Sequence, residues 1–92
     1  MTAPLTPVPR ASVVKFAVEM ERTLQANDHK GGWHNCSIGW LLRRLRQEVD
    51  EMSAAAQSKK YEQLAREATD VANFAMMIAE HAQEEAKCWG AK

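Results

Sequence analysis

Apolar residues recur every three to four positions in three separate segments of the chain, which is the spacing of one helix face. No segment alternates between apolar and polar residues at the two-residue period of a strand. The pattern therefore predicts an all-α protein with helices over about residues 12–27, 38–56 and 59–87. Ser12 and Ser37 are the expected N-caps of the first two helices.

The ends of this pattern define the predicted domain. Pro4, Pro7 and Pro9 disfavour helix and predict an extended, proline-rich N-terminal arm over residues 1–11. Residues 12–92 are then predicted to form one all-α domain. A break within the last helical segment, near residue 65, would divide it in two, so three to four helices are expected.

The helices leave more apolar surface than three or four of them can bury within one chain. Met76, Met77 and Ile78 place apolar side chains on more than one face of the last helix. Small residues on that helix also allow a second helix to approach closely; they are Ala68, Ala72, Ala75 and Ala79. We therefore predict a compact helical bundle that is completed by homo-oligomerisation, as a homodimer or homotetramer.

Two acidic pairs with the same spacing lie in the last two predicted helices: Glu48-x-x-Glu51 and Glu67-x-x-Asp70. Residues three apart on a helix are neighbours, so each pair can present two carboxylates to one point. Glu67 falls in the middle of an apolar stripe, Asp70 lies at its edge, and Glu48 borders the stripe of the preceding helix. Because a buried carboxylate is costly unless it is paired or metal-bound, the four acids predict a site for a hard divalent cation.

The same four acids are also compatible with a purely structural role. Arg44, Arg66 or a lysine can form ion pairs with them, or a shallow stripe can leave them in water. The chain would then be a non-catalytic helical module for protein interaction or oligomerisation. A di-iron carboxylate bundle is disfavoured because it needs Glu-x-x-His pairs, and no histidine here follows a glutamate by three residues.

Composition narrows the class of partner. Twelve basic residues balance twelve acidic residues, so no charge imbalance favours nucleic acid, and none is expected as a partner. The local cluster Arg43, Arg44 and Arg46 is interpreted as a solvated helix face. Cys36 and Cys88 form no C-x-x-C pair, which disfavours the usual zinc sites. No signal peptide and no membrane-spanning apolar run are recognised, so we expect a cytoplasmic protein with no membrane partner.

The order of the acids resembles the signature of a known superfamily. Gln47-Glu48-x-x-Glu51, fifteen intervening residues and then Glu67-x-x-Asp70 is similar to the motif of the all-α nucleoside triphosphate pyrophosphohydrolases. These include the MazG proteins, the dimeric dUTPases and their small phage relatives. The loop Lys30-Gly31-Gly32-Trp33 and the stretch from Asp70 to Phe74 also resemble short, single-domain MazG-like proteins.

The resemblance covers about residues 12–82 and has one departure. The family motif begins with two acids, E-E-x-x-E, whereas the first position here is Gln47. An amide cannot carry the charge of a metal ligand, but it can orient Glu51 by a hydrogen bond.

This resemblance implies a MazG-like fold and a magnesium-dependent hydrolase, with manganese as the alternative ion. The implied reaction cleaves a ribo- or deoxynucleoside triphosphate to the monophosphate and pyrophosphate, in the control of nucleotide pools or alarmones. Glu48, Glu51, Glu67 and Asp70 are the implied metal ligands, and Glu48 or Glu51 is the candidate to activate water. The implied location is the cytoplasm of a bacterium or of a phage-infected host.

Three further residues are candidates for binding the nucleotide. Trp33 offers a stacking face, Lys30 offers a charge for phosphate, and Asn73 lies one helical turn beyond Asp70. The sequence is equally compatible with a simpler role for each of these three residues. Trp33 can be a hydrophobic plug beneath the loop, Lys30 can be solvated, and Asn73 can be a buried amide satisfied within the bundle.

Overall fold

The computed structural model describes residues 6–90 of the chain, and within them it is all-α. Its three α-helices are α1 (Ala11–Ala26), α2 (Ile38–Gln57) and α3 (Tyr61–Gly90). One turn of 3₁₀ helix, Asp28–Lys30, follows α1. The predicted all-α class is therefore confirmed for these residues. The predicted arm, residues 1–11, lies partly outside them; residues 6–10 have no regular structure, but Ala11 belongs to α1.

The caps of the helices agree only in part with the predicted ones. Ser37 caps α2 as expected, because its hydroxyl accepts a hydrogen bond from the backbone N–H of Trp40 at 3.0 Å. Ser12 is not a cap. α1 begins at Ala11, and the carbonyl of Arg10 accepts the first backbone hydrogen bonds of the helix. Alanine has the highest helix propensity, and the helix begins two residues earlier than a cap at Ser12 would place it.

The predicted break in the last helical segment is wrong. α3 runs without interruption for 30 residues, so the protein has three α-helices and not four in its described part. The segment around the expected break, residues 64–68, is Leu-Ala-Arg-Glu-Ala, all of which favour helix, and it contains neither glycine nor proline.

α2 and α3 form a helical hairpin, and α1 packs on α3. The connection of α2 to α3 is a tight turn in which Lys59 adopts a left-handed conformation (φ 57°). The backbone N–H of Lys60 donates to the carbonyl of Ala55 at 2.9 Å and closes the end of α2. This turn places the second half of α2 against the first half of α3, where the two acidic pairs lie.

A single chain is less compact than predicted. Its radius of gyration is 15.9 Å, whereas a compact domain of this length has a value of about 12 Å. The reason is the length of α3, about 45 Å at the usual helical rise, which exceeds that of either partner helix. None of the helices in the described part of the chain is long and apolar enough to cross a membrane.

The hydrophobic core within one chain is small. Among the residues whose burial the structure describes, 6–88, the buried apolar side chains are Leu41 and Ala55, and α1 contributes none. Several large apolar side chains are exposed on the helices instead; they are Val13, Val14, Phe16, Val18, Trp40, Leu42 and Tyr61. The single chain therefore leaves apolar surface uncovered, as the sequence led us to expect.

Leu41→Ala is expected to lower the free energy of unfolding by about 2–5 kcal/mol, because it removes a large, fully buried side chain and leaves a cavity. The matched control is Leu42→Ala, the same chemical change at a neighbouring residue that is 36% exposed. Urea denaturation followed by circular dichroism measures both. Equal losses of stability in the two variants would contradict this account of the core.

Candidate metal site

Three carboxylates from two helices meet at one point. One oxygen each of Glu48 on α2 and of Glu67 and Asp70 on α3 lie within 4.8 Å of one another. Glu48 is only 6% exposed, while Glu67 and Asp70 are half-buried. The hairpin turn brings these acids together because each lies on the face that its helix turns toward the other.

The fourth predicted ligand lies at the edge of this cluster. Glu51 is exposed and does not belong to the group of three. It is still close enough for its hydrogen bond and its charge to raise the pKa of Glu48. The structure therefore places Glu51 at the solvent side of the cluster and Glu48 at its buried side.

The electrostatics of the cluster favour protons or a cation. Burial raises the pKa of Glu48 to about 8, and the nearby carboxylates of Glu51, Asp70 and Glu67 act in the same direction. Burial also raises the pKa of Asp70; the hydrogen bond with Glu48 and the charge of Arg44 oppose this rise. Carboxylates that hold protons for this reason release them when a cation supplies the missing positive charge.

One basic residue partly neutralises the cluster. Arg44 Nη2 lies 3.4 Å from Glu48 Oε2, so an ion pair of the kind considered from the sequence does form. Arg66 is exposed and has no ion pair in the part of the chain that the structure describes. Ion pairing of this sort therefore satisfies one of the four acids. Gln47 accepts a hydrogen bond from Arg44, so the structure does not show it orienting Glu51.

A groove of about 480 Å³ opens beside the cluster, between the end of α1, the following loop, α2 and α3. Glu48 and Asp70 line one part of it, and all three predicted nucleotide-binding residues, Lys30, Trp33 and Asn73, line it too. This volume falls within the usual range for pockets that bind small molecules. Two carboxylates of the cluster and the three candidate substrate residues thus line one cavity.

Asn73 has an unsatisfied polar atom in this region. The residue is 4% exposed, and its amide nitrogen donates to the carbonyl of Met20 at 3.3 Å, which ties α3 to α1. Its Oδ1 atom is buried and has no hydrogen-bond partner in the described structure. Leaving such an acceptor unpaired costs about 1–3 kcal/mol, so a ligand in the groove that offered a donor would be favoured.

The position of Trp33 depends on α3. The indole Nε1–H of Trp33 donates to Glu80 Oε1 at 3.0 Å, and the Trp33 carbonyl accepts from His81 Nε2 at 3.0 Å. The ring of His34 stacks on the indole with centroids 5.2 Å apart. Sequence reasoning missed Glu80 and His81 because they lie 47 and 48 residues from the loop. The signal available in the sequence was that Glu80 and His81 follow Asn73 by seven and eight residues, a spacing that places residues on the same face of a helix.

The residues present suit a divalent cation such as Mg²⁺. Carboxylate oxygens are the ligands this ion prefers, and a small number of them with several waters is its usual protein environment. Two oxygens on opposite sides of one Mg²⁺ are about 4.2 Å apart, so the observed spacing needs only small side-chain adjustments.

Comparison of the chain with family models, curated proteins and solved structures finds no match in any of the three. The chemistry is therefore argued from these residues themselves.

Proposed function

We propose that this protein is a magnesium-dependent nucleoside triphosphate pyrophosphohydrolase of the MazG-like type. The observation that carries the proposal is the convergence of Glu48, Glu67 and Asp70 within 4.8 Å, on two helices, beside a groove. A triphosphate carries several negative charges that carboxylates alone would repel, so such a groove suits it only when a cation is bound. Mg²⁺ is the proposed ion, and Mn²⁺ is the alternative.

The residues have distinct proposed roles. Glu48, Glu67 and Asp70 hold the cation, which supplies the positive charge that lets a phosphate chain approach and that lowers the pKa of water. Glu51 completes the ligand set from the solvent side and is our candidate to accept the proton of the attacking water, since it is exposed whereas Glu48 is buried.

Nucleotide recognition is assigned to the loop side of the groove. Trp33 stacks on the base, and Lys30 neutralises phosphate charge. Asn73 offers its free Oδ1 to a donor on the substrate. Cleavage between the α and β phosphates would yield the monophosphate and pyrophosphate. The proposed role is control of nucleotide pools or alarmones in the cytoplasm of a bacterium or a phage-infected cell.

A homodimer or homotetramer is proposed as the working form. Its support is the exposed apolar face of α1, where Val13, Val14, Phe16 and Val18 lie uncovered, and the small core of the single chain. Burial of such side chains against a second copy removes apolar area from water, which is the main favourable contribution to association.

A second function has one observation in its favour. The ion pair of Arg44 with Glu48 shows that a basic residue can engage one acid of the cluster. Together with the exposed apolar residues, this supports a non-catalytic interaction or oligomerisation module. Such a module would neither bind magnesium nor hydrolyse nucleotides.

The deciding experiment is incubation of the purified protein with each ribo- and deoxynucleoside triphosphate, with magnesium or with a chelator. Ion-exchange chromatography identifies the products. We expect magnesium-dependent formation of a monophosphate and pyrophosphate. Absence of turnover on all of them, with no magnesium-induced rise in melting temperature, would reject the hydrolase and favour the interaction module.

Glu80→Ala is expected to raise KM for the nucleotide about fivefold, because it removes the hydrogen bond, worth about 1 kcal/mol, that holds the Trp33 indole. Neither kcat nor magnesium affinity should change, since Glu80 lies outside the carboxylate cluster. Steady-state kinetics measure KM and kcat separately. Glu84→Ala, one turn further along α3, is the control, and an equal rise in KM there would refute the role of Trp33.

A further inference from the structure

We propose that Arg44 is a phosphate-binding residue of this groove, which contacts Glu48 in the free protein and turns to a ligand phosphate when a cation occupies the cluster. This inference rests on the proposed metal site, but not on hydrolysis. Arg44 was considered from the sequence only as an ion-pair partner or as part of a solvated basic face. Its surroundings in the structure give it a more specific role.

The present contacts of Arg44 are weak enough to exchange. Its Nη2 lies 3.4 Å from Glu48 Oε2, which is longer than the usual length of about 2.7–2.9 Å for a charge-assisted hydrogen bond. Its Nη1 donates to Gln47, whose amide carries no charge. A guanidinium has five N–H donors; two are used in these contacts, so three have no partner among the described residues.

An aromatic ring keeps the guanidinium at the groove. The central carbon of the Arg44 guanidinium lies 5.2 Å from the centroid of the Phe74 ring, within range for a cation–π contact. Both residues line the groove, together with Glu48, Asp70 and Lys30. The side chain of Arg44 is 36% exposed, so its free donors can reach a ligand that enters.

The cation and Arg44 compete for the same carboxylate. A divalent ion bound to Glu48 takes the carboxylate oxygen that Arg44 now contacts, and the two positive charges repel each other. The guanidinium of Arg44 then interacts more favourably with a phosphate that enters the groove than with Glu48. Its planar, two-pronged set of donors matches the geometry of a phosphate.

This competition predicts opposite effects of one substitution. Arg44→Ala should leave magnesium affinity in the absence of a polyphosphate unchanged or severalfold higher, because a competing cation is removed. It should weaken binding of the magnesium complex of inorganic tripolyphosphate by about 10- to 100-fold, because charge-assisted hydrogen bonds are lost. Arg44→Lys keeps the positive charge but lacks the planar pair of N–H donors, so it should recover part of this affinity.

Isothermal titration calorimetry tests the inference with magnesium alone and then with magnesium and tripolyphosphate. Arg43→Ala is the control, since it removes the same charge from an exposed neighbouring position on α2. Circular dichroism and the melting temperature show whether each variant is folded. A merely structural role for Arg44 would weaken both titrations together.

The outcomes separate this inference from the proposed function. Loss of tripolyphosphate affinity in Arg44→Ala alone supports the inference, even if no nucleotide is hydrolysed. Wild-type affinity in Arg44→Ala, or equal loss in Arg43→Ala, overturns it without rejecting the hydrolase. Failure of the wild-type protein to bind the magnesium complex of tripolyphosphate would overturn this inference, while the turnover assay with nucleotides decides the hydrolase separately.

Discussion

Glu67→Ala is expected to abolish magnesium-dependent turnover, with a loss of at least about 100-fold, because it removes a carboxylate from the centre of the proposed metal site. The same substitution should leave the fold intact or more stable. Glu67 has no ion pair in the described part of the chain, and its removal reduces repulsion among the clustered carboxylates. In the Glu67→Ala variant, magnesium should no longer raise the melting temperature.

The measurement pairs activity with thermal unfolding in the presence and absence of magnesium. Glu62→Ala is the matched control, because it removes an exposed glutamate from the first turn of the same helix. It should behave as the wild-type protein. Unfolding of Glu67→Ala would show that Glu67 is structural, and full activity would show that the cation is bound elsewhere.

In the absence of divalent cations, the stability of the protein is expected to fall as the pH rises from about 4.5 to about 8. The pKa of Glu48 is raised from 4.5 to about 8 in the folded state, with burial as the main cause. Between these values the unfolded chain has released this proton and the folded protein still holds it, so unfolding becomes more favourable as the pH rises. The stabilisation is complete below pH 4.5 and lost above about pH 8.

This fall should be on the order of 3 kcal/mol for Glu48, given about 1.36 kcal/mol for each unit of pKa shift and the sharing of protons within the cluster. The raised pKa of Asp70 acts in the same direction. Magnesium should oppose the fall, and its stabilising effect should be greater at about pH 8.5 than at about pH 5.5, because it binds the deprotonated carboxylates.

Chemical denaturation between about pH 4.5 and about pH 9, with chelator or with magnesium, measures both effects. Glu48→Gln should flatten the dependence, being close to the wild type at low pH and more stable than it at the alkaline end. Glu62→Gln, at an exposed position, should retain the wild-type slope. A wild-type stability that rises with pH over this interval would contradict the buried, crowded environment assigned to Glu48.

Several features of this protein followed from its sequence alone. Apolar periodicity predicted three helical segments close to those observed, because one helix face must be apolar to pack. Ser37 marked the start of α2 because its side chain is a good acceptor for the free N–H groups of a first turn. The spacing of Glu48, Glu51, Glu67 and Asp70 predicted acids on facing helix surfaces, since three-residue spacing alone places each pair on one side.

Other features were decided by the tertiary structure. All four acids were predicted as metal ligands, yet the packing of α2 on α3 buries Glu48 and leaves Glu51 at the rim. The sequence did not show that Arg44 would contact both Glu48 and the Phe74 ring. The anchoring of Trp33 by α3, the unpaired Oδ1 of Asn73 and the elongated shape also emerged only from the fold. Helical periodicity sets which residues share a face within one helix, whereas the side chains that meet across helices depend on how all the helices pack together.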